Sequence, residues 1–580
     1  VAGQPKADAS SEVPYQYQAA AHTDALGGLD TEKVMGNRPT TGAWAHYQTA
    51  SHSVKLCPFL LDQQALCLYN GIDLMRLTRC SIVAALGLVS VAALSGLRAA
   101  TPTMPVSEIR PGMIGIGHTV FTGTRVEEFK AHVLGVIENA IGPQRNLILA
   151  RLEGGPLAET GVIAGMSGSP VYVDGRLIGA VSYALGSFSK EPIAGITPIE
   201  EMTAEPVAAT RPASARVHIE YPLTPDALAA AFSKGLNWNR AFADRPEDSR
   251  LVGVSTIPGL GGREVGAMMR PIATPLVMSG FEPDVAAMLG TALRDQGFIP
   301  SGGHAAGLRP GDMPFEGPLK PGDAVGVTFV EGDFLLGGTG TVTHIDEDRV
   351  YAFGHPMYNL GPTQFPMTRA YVYTLLPSLY SSSKLTMTGE TIGTLLQDRA
   401  TTIVGRIGPG PSLIPVTMNL MSGRAGSKRT FKFGVVKDQL LSPLMTYSAL
   451  LNTLISYERQ LGTATFGLQG SVRLRNHEGV TLANLFSGDT AAVGAASYIV
   501  TPMTALMSND YEKVEIEAVE LTFTSDESPR TATLQRVWVD DPRPRAGRTV
   551  PLKVLLRTYR GEDVLRTIPI DIPAHVNGNL

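Results

Sequence analysis

Six consecutive residues, Gly165-Met166-Ser167-Gly168-Ser169-Pro170, crowd small side chains around one hydroxyl. They run directly into Val171-Tyr172-Val173, an Asp174-Gly175 hairpin signal, and the apolar stretch Leu177–Val181. A turn this tight exposes a serine, and the strand, turn and strand after it build a wall behind the hydroxyl. That arrangement suits nucleophilic acyl transfer through Ser167. The same residues would also serve as a plain Gly/Ser turn into a hairpin. A serine nucleophile needs a base, and two histidines come into question. His355 closes Ala352-Phe353-Gly354-His355-Pro356 at the mouth of an apolar strand, where an imidazole can face a cleft or simply finish a turn. His118 precedes Ser167 in a glycine-rich opening strand and has no second feature behind it, and His304 in Gly302-Gly303-His304 reads as solvated. No His-x-x-x-His, cysteine pair or Asp-x-Asp-Gly loop occurs, so the pattern implies no metal and no cofactor.

The elements that must hold these residues are mostly strands. Residues 101–205 read as short strands with glycine punctuation, which suits a barrel or a sandwich and carries the serine. Residues 206–314 are a mixed helical connector: Pro and Asp open helix-like patches at 224–232 and 282–293. Residues 315–440 return to β-structure and carry His355. Residues 441–508 are partly helical, and residues 509–580, with period-two alternation over 514–523, read as a C-terminal β-sandwich. The fold class expected from the pattern is mainly β, with inserted helices and the sandwich.

With 580 residues, 44% apolar and 17% charged, the chain has material for several cores. A net charge of −5 and the lack of a basic run argue against nucleic acid as a partner. Residues 1–74 are polar and without core pattern. They are followed by Met75-Arg76-Leu77-Thr78-Arg79, the uncharged run Ser81–Leu97, and Arg98-Ala99-Ala100. A basic end, a short apolar core and small residues make 75–100 a signal peptide or anchor, with Met75 the expected start and cleavage expected near Ala99 or Ala100. Membrane contact would then come only through an uncleaved anchor. Cys57, Cys67 and Cys80 all precede that point, so the mature chain would lack disulfides, and the expected location is a bacterial periplasm or cell envelope. Nothing in the sequence indicates an oligomeric state.

Taken together, Thr160–Pro170 with Asp174–Val181, and Gly340–Asp346 continuing to Ala352–Pro356, resemble the SpoIVB-type peptidases, which are chymotrypsin-like serine peptidases. The resemblance implies a chymotrypsin-like double β-barrel and an exported serine endopeptidase acting on protein or peptide. It further implies Ser167 as nucleophile, His355 as general base, and the Gly165 and Ser167 amides as oxyanion hole. The order is swapped, since in the family pattern the histidine precedes the serine. Triads are recognised by geometry, so a swapped order is compatible with catalysis. For the acid, Glu153 stands near the family's aspartate position with one residue fewer in between, and Asp398 is the runner-up. Either carboxylate would otherwise belong to a surface ion pair. A catalytically inactive, peptidase-like envelope scaffold is the alternative function.

Overall fold

The computed structural model describes residues 101–185, 191–204, 227, 250–252, 262–294, 297–302, 313–423, 426–457, 464–509, 511–541 and 543–575. The expected signal segment, the polar stretch before it, all three cysteines, His304 and nearly all of the helix-like patch at 224–232 lie outside those residues. Among the described residues no helix is long and apolar enough to cross a membrane.

The first barrel is built from β1 (Ile114–Val120), β2 (Val126–Gly142), β3 (Arg145–Glu153), β4 (Ser169–Val173), β5 (Arg176–Leu185) and β6 (Ile193–Pro198). They pair in the order β1-β4-β5-β6-β3-β2, and a β1–β2 ladder closes the ring. Alternation drives the closure. On β2, Phe129, Ala131 and Val133 face the core while Glu128, Lys130 and His132 face outward. The Phe129 ring crosses β1 so closely that a Cβ at Gly117 would meet it at 2.1 Å, which makes that position a glycine. Asp174 and Gly175 both take positive φ, 49° and 73°, as a two-residue hairpin turn between β4 and β5 requires.

Short strands β7 (Arg250–Val252) and β8 (Met269–Pro271) add to this sheet at β2 and β5. The chain then passes to the second sheet through β9 (Thr274–Ser279), helix Pro283–Arg294 and β10 (Phe298–Gly302), which is parallel to β9. The helix covers the stretch where the Pro and Asp start signal predicts one. The second barrel consists of β11 (Ala324–Gly332), β12 (Leu335–Asp346), β13 (Arg349–Ala352), β14 (Gly361–Leu376), β15 (Ser383–Arg399) and β16 (Thr402–Ile407). Their order is β12-β13-β16-β15-β14-β11, closed by β11–β12 pairing. Two closed rings in sequence make the double barrel that the resemblance implies, within the mainly β structure that the strand pattern predicts.

The second sheet continues past its ring through β17 (Ile414–Ser422), β18 (Lys428–Val435), β19 (Ala464–Leu474) and β20 (His477–Gly488), with β21 (Ile516–Asp526) inserted between β17 and β19. Helices Leu441–Tyr457 and Ala491–Met507 share its core. The C-terminal β-region is thus divided: β21 lies parallel to β17 in the large sheet, and β22 (Ala532–Val539), β23 (Thr549–Thr558) and β24 (Asp563–Asp571) form a separate antiparallel sheet.

Candidate active site

The serine turn sits between the short helix Leu157–Thr160 and β4. Gly165 and Gly168 adopt φ of 92° and 96°, the left-handed region that glycine enters without strain. The backbone N–H of Gly165 and that of Ser167 meet no acceptor among the described residues, and Ser167 Oγ, fully buried, has no partner either. Local bonds account for the direction of the second amide. Met166 O accepts both Ser169 N (3.0 Å) and Ser169 Oγ (2.6 Å). In a trans peptide the C=O and N–H point opposite ways, so the Ser167 N–H is turned away from Ser169.

The other barrel grips this turn. Strand β12 donates Thr341 N to Ser167 O (2.8 Å), Thr341 Oγ1 to Gly165 O (3.1 Å) and Thr343 Oγ1 to Gly168 O (2.7 Å). At Gly168 the approach is close enough that a Cβ would lie 2.0 Å from Thr341 O and 2.5 Å from Phe353 N. The serine turn therefore abuts the loop that carries His355.

The histidine loop is held in the reverse sense, by the first barrel. Thr197 Oγ1 on β6 donates to Gly354 O (2.7 Å) and is itself within 2.6 Å of Ser182 Oγ on β5. Phe353 takes a φ of 67°, an uncommon and strained conformation for a bulky residue, and its buried ring packs where Gly340 leaves room. His355 is buried, with Nδ1 2.7 Å from Pro356 O. A carbonyl can only accept, so Nδ1 carries the proton and Nε2 keeps its lone pair. Burial pushes the imidazole down to about 4 against the opposing pull of the Pro356 and Ile272 backbone, so the ring is neutral at pH 7. Among the described residues Nε2 makes no hydrogen bond of good geometry, and the Ile272 backbone is the group that acts on the ring besides Pro356. Ser167 Oγ and His355 Nε2 are thus both buried, and no hydrogen bond joins them.

Residues 89–202 match the family model of SpoIVB peptidase S55. That stretch is similar to the SpoIVB serine peptidases. The match takes in the first barrel with its serine turn and ends before the second barrel, so His355 lies beyond it. No curated protein and no solved structure matches the chain.

The candidate carboxylates part company. Glu153, at the end of β3, is exposed, with Oε2 2.6 Å from His132 Nε2 on the outer face of β2, whereas the Nδ1 of His355 is taken by Pro356. The structure therefore does not bring Glu153 to His355. Asp398 is buried and accepts Met357 N (2.7 Å), Tyr358 N (2.6 Å) and Leu360 N (3.2 Å). It ties down the loop that leaves His355, a role that sequence spacing alone did not indicate. His118 sits on β1 with its ring beside Tyr172 and Nε2 3.6 Å from Glu128. No cluster of His, Cys, Asp or Glu suited to a metal occurs among the described residues.

Proposed function

We propose that the chain is an exported serine endopeptidase that cleaves proteins or peptides through an acyl-enzyme on Ser167. The observation that carries this reading is the serine turn itself, whose Ser167 hydroxyl and Gly165 and Ser167 N–H groups meet no partner among the described residues. Ser167 Oγ attacks the substrate carbonyl and passes its proton to His355 Nε2. The two amides take the negative charge that forms on the carbonyl oxygen. As the C–N bond breaks, His355 returns the proton to the leaving amine, and water, deprotonated by the same imidazole, then releases the acyl group. Asp398 acts as a positioning residue for the histidine loop, and the Pro356 carbonyl fixes the imidazole tautomer. Export rests on the signal-like pattern of residues 75–100.

Burial of Ser167 and His355 favours the second reading, a peptidase-like scaffold. Pro275 presses on the Gly165 position, where a Cβ would lie 2.9 Å from its ring, and the Ile272 backbone acts on His355. Catalysis would require this connector to move. A fluorophosphonate probe separates the two functions. Labelling of folded protein that vanishes in Ser167→Ala is the result expected of the peptidase, and a folded chain left unlabelled at pH 8 would establish the scaffold.

A further inference from the structure

Strand β15 opens beside the serine turn. Ala164 N donates to Ser382 O (2.8 Å) and Lys384 N donates to Ala164 O (3.0 Å), so Ala164 is paired with the chain on both sides of Ser383. Because C=O and N–H oppose each other across a trans peptide, holding the Ala164 carbonyl against Lys384 turns the Gly165 N–H away from β15. That is the direction in which it meets no acceptor. The Lys384 side chain then runs along the turn: its Cδ lies 3.3 Å from where a Gly165 Cβ would be, and Nζ ends 2.9 Å from Thr119 Oγ1 on β1.

Lys384 is 1% exposed, and among the described residues no carboxylate pairs with it. The elements around it present uncharged groups: Gly165 on the turn, Pro275 on β9, Ser301 on β10 and Thr119 on β1. His118, next along β1, is engaged with Glu128, and His355 on the neighbouring loop is neutral above about pH 4. A buried, unpaired amine is costly, and a methionine would fill the same space without that cost. Its position against an oxyanion amide gives the cost a use.

We propose that Lys384 is a positioning residue of the serine site, aiming the Gly165 amide through its backbone and placing its amine behind the oxyanion loop as a positive charge during acylation. The proposal rests on the peptidase reading. Two bonds separate Nζ from Cδ, so the ammonium lies within roughly 6 Å of the Gly165 Cβ position. In a water-excluded site a charge at that range stabilises a developing oxyanion. Burial alone lowers Lys384 to about 7. The charged amine is therefore present below that pH and lost above it, whereas His355 becomes available as a base above about 4.

The test is the second-order rate of fluorophosphonate reaction with the full chain between pH 4 and 10. For the wild type, the rate should rise near pH 4 and fall roughly tenfold between pH 6 and 9 towards a lower plateau, as expected for one lost electrostatic contact. Lys384→Met should lie on the lower plateau throughout, about tenfold slower at pH 6 and equal to the wild type at pH 9. Lys384→Arg, charged at every pH, should abolish the fall. A wild-type rate that stays level or rises from pH 6 to 9 overturns the proposal without recourse to a variant. So does a folded Lys384→Met that keeps the wild-type fall. A folded wild type that the probe never labels removes both the peptidase reading and this role for Lys384, whereas a labelled wild type with an unchanged methionine profile removes only the latter.

Discussion

Replacing Lys384 by methionine should stabilise the fold at neutral and acidic pH, and the gain should disappear in alkali. Lys384 falls from its ordinary 10.5 to about 7 on folding because burial removes water from the ammonium. At about 1.4 kcal/mol for each pH unit, the penalty for keeping it charged in the native state is on the order of 5 kcal/mol. The sign follows from proton counting. Between about 7 and 10.5 the unfolded chain holds a proton that the folded chain lacks, so wild-type stability rises with pH across that window and the contribution is lost as pH falls through about 7. Methionine removes the titration and also the bond to Thr119 Oγ1, worth about 1 kcal/mol. Lys384→Met should accordingly be more stable than wild type by roughly 4 kcal/mol at pH 6 and less stable by about 1 kcal/mol above pH 10.5. Urea unfolding of both proteins at matched pH values measures the difference, and every other titrating group cancels in the comparison. A difference that does not change between pH 6 and 10.5 would refute the reasoning.

Ser167→Ala should lower turnover on the order of 10³-fold or more, His355→Ala should match it, and the double variant should be little worse than either, because the two act as one unit; a double variant slowed by the product of the two losses would break the assignment. Ser169→Ala should cost far less, since its hydroxyl bonds only the turn at Met166 O, and steady-state kinetics with a fixed peptide makes the comparison. Gly168→Ala should destabilise by on the order of 3 kcal/mol, because a Cβ there meets the Thr341 carbonyl and the φ is left-handed; thermal unfolding reads the loss. Asp398→Asn should lower kcat with little change in KM, since the buried carboxylate positions the histidine loop by accepting three amides, while Glu153→Gln should change neither by more than a few-fold, its partner being a surface histidine.

What was legible in the chain was what local chemistry determines. Gly165–Pro170 and Asp174-Gly175 demand backbone conformations that only a few residue types adopt, and the structure shows both turns where those residues stand. Short alternating strands marked both regions as β, while their closure into two barrels followed from the family resemblance. Glu153 was harder, because its distance from Ser167 along the chain says nothing about which face of β3 it occupies. Register with β2 places it opposite Lys130 and beside outward-facing His132, and register is a non-local property. Lys384 escaped for a related reason, as did the burial and loop-holding role of Asp398, which the chain offered only as the runner-up acid. Each is an ordinary polar residue on a long strand whose burial arises only when the second ring closes and meets the first. The alternation over 514–523 identified a strand without revealing that it would lie parallel to β17 inside the large sheet.

The swapped order of serine and histidine halves has a structural consequence. Each turn is finished by the opposite barrel: β12 of the second holds the serine turn through Thr341 and Thr343, and β6 of the first holds Gly354 beside His355 through Thr197. Lys384, on the second barrel, reaches Thr119 on the first and ties the same junction from below. Neither turn has these bonds until the barrels dock, so the local shape of the nucleophile depends on residues far away in the chain. Chain order then matters little, provided that the connector is long enough to let the two rings meet. The same reciprocity makes the site cooperative. A change that loosens the docking, on either side, should disturb both the serine and the histidine together, and the stability of the interface and the competence of the site should fall in parallel across any series of substitutions at Thr341, Thr343 and Thr197.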